Sequence, residues 1–165
     1  MGLSSFLYLV RQGYYDPRSS DNGNLEEKEI FDNLVKYSNL GNLLCLGEDD
    51  HRVFEFRIKI AQWRKAYHIH QYFVENCAYG KNNNSPICTS LGSLRELKDR
   101  CEIVIRNPEK AMEFLPSSPN HYCGFGYDDY YFESLKFTVD VIDKILTEFD
   151  EEKHYQCWIQ YEESW

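Results

Sequence analysis

Between residues 52 and 61 the chain reads RVFEFRIKIA, its clearest alternation of apolar and polar positions. Phe54, Phe56, Ile58 and Ile60 fall on one side; Val53, Glu55, Arg57 and Lys59 fall on the other. Successive side chains of a strand point to opposite faces. A period of two therefore predicts a strand with one face on a core and the other toward solvent or a ligand. Residues 3–11, LSSFLYLVR, are β-prone and predict a first strand. HYQCWIQYE at 154–162 sets Tyr155, Cys157, Ile159 and Tyr161 against Gln156, Trp158 and Gln160, and predicts a last one.

The remaining apolar positions recur three and four apart. Ile30, Phe31, Leu34 and Val35 predict a helix that Asn24 caps, with Glu27 completing a capping box, and that fades near SNLGN. Ser93 and Glu96 predict a second box, ahead of a stripe of Leu94, Leu97, Cys101, Val104 and Ile105. Asn107-Pro108 ends that helix and starts a short one, because proline is tolerated at the first helical position. Phe132, Leu135, Val139, Ile142, Leu146 and Phe149 predict a last helix capped by Asp128 or Asp129. YGKNNNSP and EFLPSSPNHYCGFG predict loops.

These elements predict an α+β domain over residues 1–165. A small, mostly antiparallel sheet of three to four strands carries about four helices packed mainly on one face. Strand 52–61 and the C-terminal strand are the expected neighbours.

One stretch, QWRKAYHIHQYF, stands out after the alternating strand and predicts a helix over 62–77. On a helical wheel Ala66, Ile69, His70, Phe73, Val74 and Cys77 share the side of Trp63. Arg64, His68, Gln71 and Glu75 share another. The two histidines separate, which makes His68-x-His70 a poor metal pair. His68 is expected at the surface. His70 lies near the centre of the apolar face, where it either is a core histidine satisfied by backbone or tyrosine, or reaches into a pocket beside Trp63. Arg64 and Lys65 at the helix start, with its free N–H groups, suggest an anion site; the alternative is surface charge.

Composition narrows the classes. With 165 residues, 42% hydrophobic and 16% aromatic, the chain suits one domain with a substantial core. A formal charge of −9 disfavours non-specific binding of nucleic acid or anionic membrane, which need a basic footprint. No apolar run approaches a membrane span. The N-terminal MGLSSFLYLVRQ lacks a basic n-region and a small-residue cleavage site, so it is expected to be a strand and not a signal peptide. Cys45, Cys77, Cys88, Cys101, Cys123 and Cys157 are scattered without C-x-x-C spacing. That pattern fits reduced thiols of a cytoplasmic protein and gives no support to a zinc site. No nucleophile motif or Gly-rich phosphate loop is present, and no cofactor is implied.

Four segments together carry a family resemblance. They are MGLSSFL at 1–7, QWRKAYHIHQYFV at 62–74, FLPSSPNHYCGFGYDDYY at 114–131 and EESW at 162–165. The chain resembles a family of small, uncharacterised bacteriophage proteins with the patterns MGLDMYL, YWRKxNxIHxWFV, LLPTxxGFFFGxxxYDExY and a closing SSW or ASW. Trp63, Arg64, Lys65, His70, Phe73, Pro116, Tyr127, Asp128, Tyr131 and Trp165 fall on pattern positions, and His68 does not. Ser4 stands in place of Asp, Tyr67 in place of Asn, and GFFFG is scrambled to PNHYCGFG.

The resemblance implies a viral accessory protein in the host cytoplasm that counters host defence. The expected function is a non-enzymatic binding module that sequesters a small phosphorylated, nucleotide-like ligand. Its expected site is Trp63, Arg64, Lys65, His70, Tyr127, Asp128 and Tyr131, where cations meet phosphate and aromatic faces stack on a base. One alternative is an acidic interaction protein that binds and inhibits a host protein. A second is a small hydrolase of a nucleotide signal, using His70 with Asp128 or Asp129 and a thiol, Cys77 or Cys123. Homo-oligomerisation stays open.

Overall fold

A computed structural model describes residues 2–38, 47, 50–117 and 126–164. Cys45, Cys123, Trp165, part of SNLGN and most of the 114–131 segment's loop lie outside the described residues. The elements are β1 (Ser4–Tyr15), α1 (Asn22–Ser38), β2 (Arg52–Arg64), α2 (Tyr67–Cys77), β3 (Ile87–Thr89), α3 (Leu91–Arg106), α4 (Ala111–Phe114), α5 (Asp129–Glu148) and β4 (Cys157–Ser164). A 3₁₀ turn at Pro108–Lys110 precedes α4. The class is α+β, with one four-stranded antiparallel sheet and five helices among the described residues.

The strand order is β2-β1-β4-β3. Strand β1 therefore separates β2 from β4, which were expected to be neighbours. The sequence pattern also missed β3, a three-residue edge strand pairing Ile87 with Tyr161, Cys88 with Gln160 and Thr89 with Ile159. Three residues are too few to show a period, and so short an edge offers little to a pairing chain.

The chain divides into two compact units, Met1–Val10 with Ile58–Trp165, and Arg11–Arg57. In the larger unit Leu7, Trp63, Ile69, Phe73, Leu94, Leu97, Cys101, Leu135, Ile142, Ile159 and Tyr161 belong to one buried cluster. The smaller unit packs Tyr15, Phe31 and Phe54, with Ile30, Val35 and Phe56 around them. There Gly13 lies under the Phe54 ring; a Cβ at Gly13 would stand 1.9 Å from Phe54 Cζ.

Asp128 caps α5, accepting from Tyr131 N at 3.0 Å. Ser90 and not Ser93 caps α3, accepting from Ser93 N at 3.0 Å. At α1, Asp21 Oδ1 accepts from Asn24 N at 2.7 Å, while the Asn24 amide binds Asp16 and Ser19 carbonyls in the preceding loop. Asn24 ties the loop down instead of capping.

Strand β2 does not keep one phase. Phe54 is buried and Phe56 half-buried, yet Ile58 is half exposed, and the buried positions then become Ala61 and Trp63. A one-residue change of phase moves side chains to the other face. The strand therefore continues to Arg64, and Trp63 and Arg64 are strand residues. The expected helix at 62–77 begins only at Tyr67. Ala, Gln, Arg and Lys in AQWRK are good helix formers, but the extended backbone buries Trp63. The break comes at Lys65, with φ 56, whose N–H donates to Leu3 O at 2.8 Å.

Candidate functional site

Where β2 ends it faces one stripe of α5. Tyr130, Glu133, Ser134 and Phe137 are spaced i, i+3, i+4 and i+7, so they share one helix face. With Gln62, Trp63 and Arg64 they line a cavity of about 240 Å³. Period two on β2 turns Trp63 inward and leaves Gln62 and Arg64 exposed. The result is a cleft lined by the aromatic residues Trp63, Tyr130 and Phe137 and by the exposed polar residues Gln62, Arg64 and Glu133.

Trp63 anchors the floor. It is 4% exposed, and its Nε1 donates to Thr138 Oγ1 at 2.9 Å. Phe137 stands edge-on to it with ring centroids 5.8 Å apart. Phe137 and Tyr130 are each more than one-third exposed. The Tyr130 hydroxyl donates to the Arg64 carbonyl and ties the two elements at the rim.

Behind the wall runs a chain of buried polar bonds. Ser134 Oγ donates to Tyr131 O at 2.7 Å, and Thr138 Oγ1 donates to Ser134 O at 2.7 Å. Such back-bonds satisfy hydroxyls inside a helix. His68 Nε2 lies 2.8 Å from Ser134 Oγ. Because the serine proton is already committed, His68 is the donor, which places its proton on Nε2. Burial pushes this imidazole down to about 3, so it is neutral near pH 7.

His68 was expected on a solvated face and is instead 3% exposed. The wheel misplaces it because α2 is buried almost all round, with His68, Ile69, His70, Tyr72, Phe73 and Val74 all inside. The α5 core stripe is likewise rotated from the expected one. It contains Tyr131, Ser134, Leu135, Thr138, Val141, Ile142 and Ile145; Phe132, Val139, Leu146 and Phe149 are only partly buried against it.

His70 lies in a second buried network, away from the cleft lining. It has no exposed surface; Nδ1 lies 3.0 Å from the Tyr161 hydroxyl and 2.9 Å from Glu163 Oε2. The Tyr161 hydroxyl donates to Ser5 Oγ at 2.8 Å. The imidazole proton on Nδ1 is then donated to the Tyr161 hydroxyl, with Glu163 Oε2 near but not hydrogen-bonded, and Nε2 accepts from Asn82 Nδ2 at 3.2 Å. Burial pushes His70 down to about 4 even with the Glu163 carboxylate alongside. Burial also raises the Tyr161 phenol.

Of the expected site residues, Trp63 and Arg64 line the cleft, and Lys65 follows at the backbone break. Tyr131 is buried, its hydroxyl bound to Leu115 O at 2.7 Å. Tyr127 packs edge-on against Tyr131 and its hydroxyl accepts from Ser117 N at 3.3 Å. Asp128 spends one oxygen on the α5 cap. The structure thus brings Tyr127, Asp128 and Tyr131 together at the helix start. It adds to the cleft Gln62, Tyr130, Glu133, Ser134 and Phe137, which the sequence reading missed. Their signal was the i, i+3, i+4, i+7 spacing beside the core stripe of α5.

A second cavity, of about 290 Å³, is lined by Cys77, Ala78, Lys81, Asn83, Ser85, Pro86, Ile87 and Cys88. It has no aromatic wall. Among the described residues no group of three His, Cys, Asp or Glu side chains could hold a metal ion, and no helix is long and apolar enough to cross a membrane.

No family model, curated protein or solved structure matches this chain.

Proposed function

We propose that the cleft between β2 and α5 binds a small phosphorylated, nucleotide-like ligand, and that the protein is a non-enzymatic binding module. The observation that carries this reading is the exposed Arg64 in the lining of a cleft that also contains Trp63, Tyr130 and Phe137. A guanidinium matches phosphate oxygens in a fork. Exposed aromatic rings stack on a base whatever its identity. A volume of about 240 Å³ is below the roughly 300–1,000 Å³ of drug-sized pockets, which suits one ring system and its near substituents. In an acidic chain the local cation is the feature that admits an anion.

The phage-type sequence pattern supports a role in sequestering a nucleotide signal of host defence. Trp63 and Arg64, which line the cleft, both fall on that pattern.

One contact favours a second reading, a small hydrolase. Ser134 lines the cleft and His68 is within hydrogen-bond reach of it, as in a nucleophile–base pair. Two features weigh against it. The serine proton is held by the Tyr131 carbonyl, and an imidazole pushed down to about 3 is a feeble base. Chromatography of nucleotide recovered after incubation with the protein separates the readings. Intact nucleotide supports binding alone; cleaved nucleotide that stays intact with Ser134→Ala supports the hydrolase.

A further inference from the structure

Three polar residues line the cleft, all of them exposed: Gln62, Arg64 and Glu133. Arg64 and Glu133 carry opposite charges and line the same cavity. Yet neither side chain makes an ion pair or a side-chain hydrogen bond among the described residues. Lys136, three residues further along α5, makes no ion pair with Glu133 either. The cleft therefore presents an uncommitted cation and an uncommitted carboxylate beside stacking rings. An anionic group alone would be met by Arg64 and repelled by Glu133. A ligand that suits both heads carries an anion at one end and hydrogen-bond donors at the other.

We infer that the cleft selects a guanine-type base, one with two adjacent N–H donors on one edge, and that Glu133 is the residue that reads it. This inference rests on the nucleotide-site reading above. An ionised carboxylate has two oxygens and accepts only. Guanine sets N1–H beside its N2 amino group, so both oxygens find a donor. Adenine and cytosine place one amino group next to a ring nitrogen lone pair, which faces the second oxygen and repels it. Uracil has a single N–H between two carbonyls. Stacking against Tyr130 and Phe137 is indifferent to the base, so discrimination falls to the edge. Arg64 is left for the phosphate, and the Gln62 amide, on the same side of β2, can donate its N–H2 to a carbonyl while its oxygen accepts from Lys59 Nζ at 3.1 Å.

Calorimetric titration of the full chain with GMP, AMP, CMP, UMP and inorganic phosphate tests this, on the wild type and on Glu133→Gln. Glu133 is exposed, so the variant keeps the fold, which circular dichroism checks. The expected result is GMP binding roughly tenfold or more tighter than the other three, the scale of a two-bond base contact. Glu133→Gln should weaken GMP and tighten AMP, because the amide N–H2 meets the adenine ring nitrogen that the carboxylate repels. Equal affinity for the four nucleotides, or a GMP preference that survives Glu133→Gln, overturns the base assignment while the nucleotide site stands. Phosphate binding as tightly as GMP also overturns it, because no base is then being read. Absence of binding by all five ligands overturns the nucleotide site itself and the base assignment with it.

Discussion

The Trp63 indole donates to Thr138 Oγ1 at 2.9 Å, a bond that fastens the end of β2 to the middle of α5. Both partners are buried, so no water replaces either if the other is lost. Thr138→Val keeps the shape and removes the acceptor. A buried N–H without a partner costs about 1–3 kcal/mol, and thermal unfolding should fall by several degrees for a chain of this size. Thr138→Ser keeps the hydroxyl and should lose much less. Equal losses for the two variants would mean that methyl packing and not the hydrogen bond holds the site.

His68 makes stability depend on pH. Its ordinary pKa of 6.5 is pushed down to about 3 by burial. The unfolded chain thus takes up the proton more readily than the folded one. The contribution is complete above pH 6.5 and is lost as pH falls toward about 3, at up to about 1.4 kcal/mol per pH unit. Urea unfolding should show lower stability at pH 5.5 than at 7.5, a window in which carboxylates of ordinary pKa remain ionised. His68→Asn should roughly halve that dependence, since buried His70, pushed down to about 4, contributes with the same sign. An NMR titration that finds His68 protonating near 6.5 in the folded protein would contradict the burial argument.

Asp128 distinguishes a cap from a ligand contact. Its oxygen accepts from Tyr131 N, a bond that asparagine can also make. Asp128→Asn should leave thermal stability within about 0.5 kcal/mol, and Asp128→Ala should cost about 1 kcal/mol. Neither should weaken nucleotide binding much, since the cleft lining does not include Asp128. Binding abolished by Asp128→Asn with the fold intact would restore Asp128 to the site.

Gly13 is held in place by what lies over it. A Cβ there would meet Phe54 Cζ at 1.9 Å and Glu27 Oε2 at 2.2 Å. Forcing a methyl into such a space costs about 1–3 kcal/mol. Gly13→Ala should therefore raise the hydrogen exchange of α1 and of the 52–57 part of β2. Unchanged exchange there would show that the Phe54 ring moves aside freely.

Much of the fold was legible in the sequence. Alternation at 52–61, the Leu94–Leu97–Cys101–Val104 stripe and the Asp128 cap all predict elements that the structure contains. Each is a local pattern and needs no knowledge of its partners. What failed depends on partners. AQWRK has helix-forming residues, but burying Trp63 keeps it extended. His68, Ser134 and Thr138 are polar and so were not assigned to a core, yet mutual hydrogen bonds let all three be buried. Strand order is invisible to a single sequence, because β1 between β2 and β4 leaves no trace in either strand's period.

The candidate site was half legible for the same reason. Trp63 and Arg64 stand together in the chain and could be singled out. Tyr130, Glu133 and Phe137 sit about seventy residues away on the outward flank of α5, and only the fold brings them to the end of β2.

The central claim is that Arg64 and the aromatic cleft bind a phosphorylated, base-bearing small molecule. Isothermal calorimetry with nucleoside monophosphates, on wild type and on Arg64→Ala, tests it most directly. Saturable binding by the wild type is expected, weakened about 10- to 100-fold in Arg64→Ala, the scale of a lost charge-assisted contact. No heat from any nucleotide, or affinity unchanged in Arg64→Ala, would contradict it.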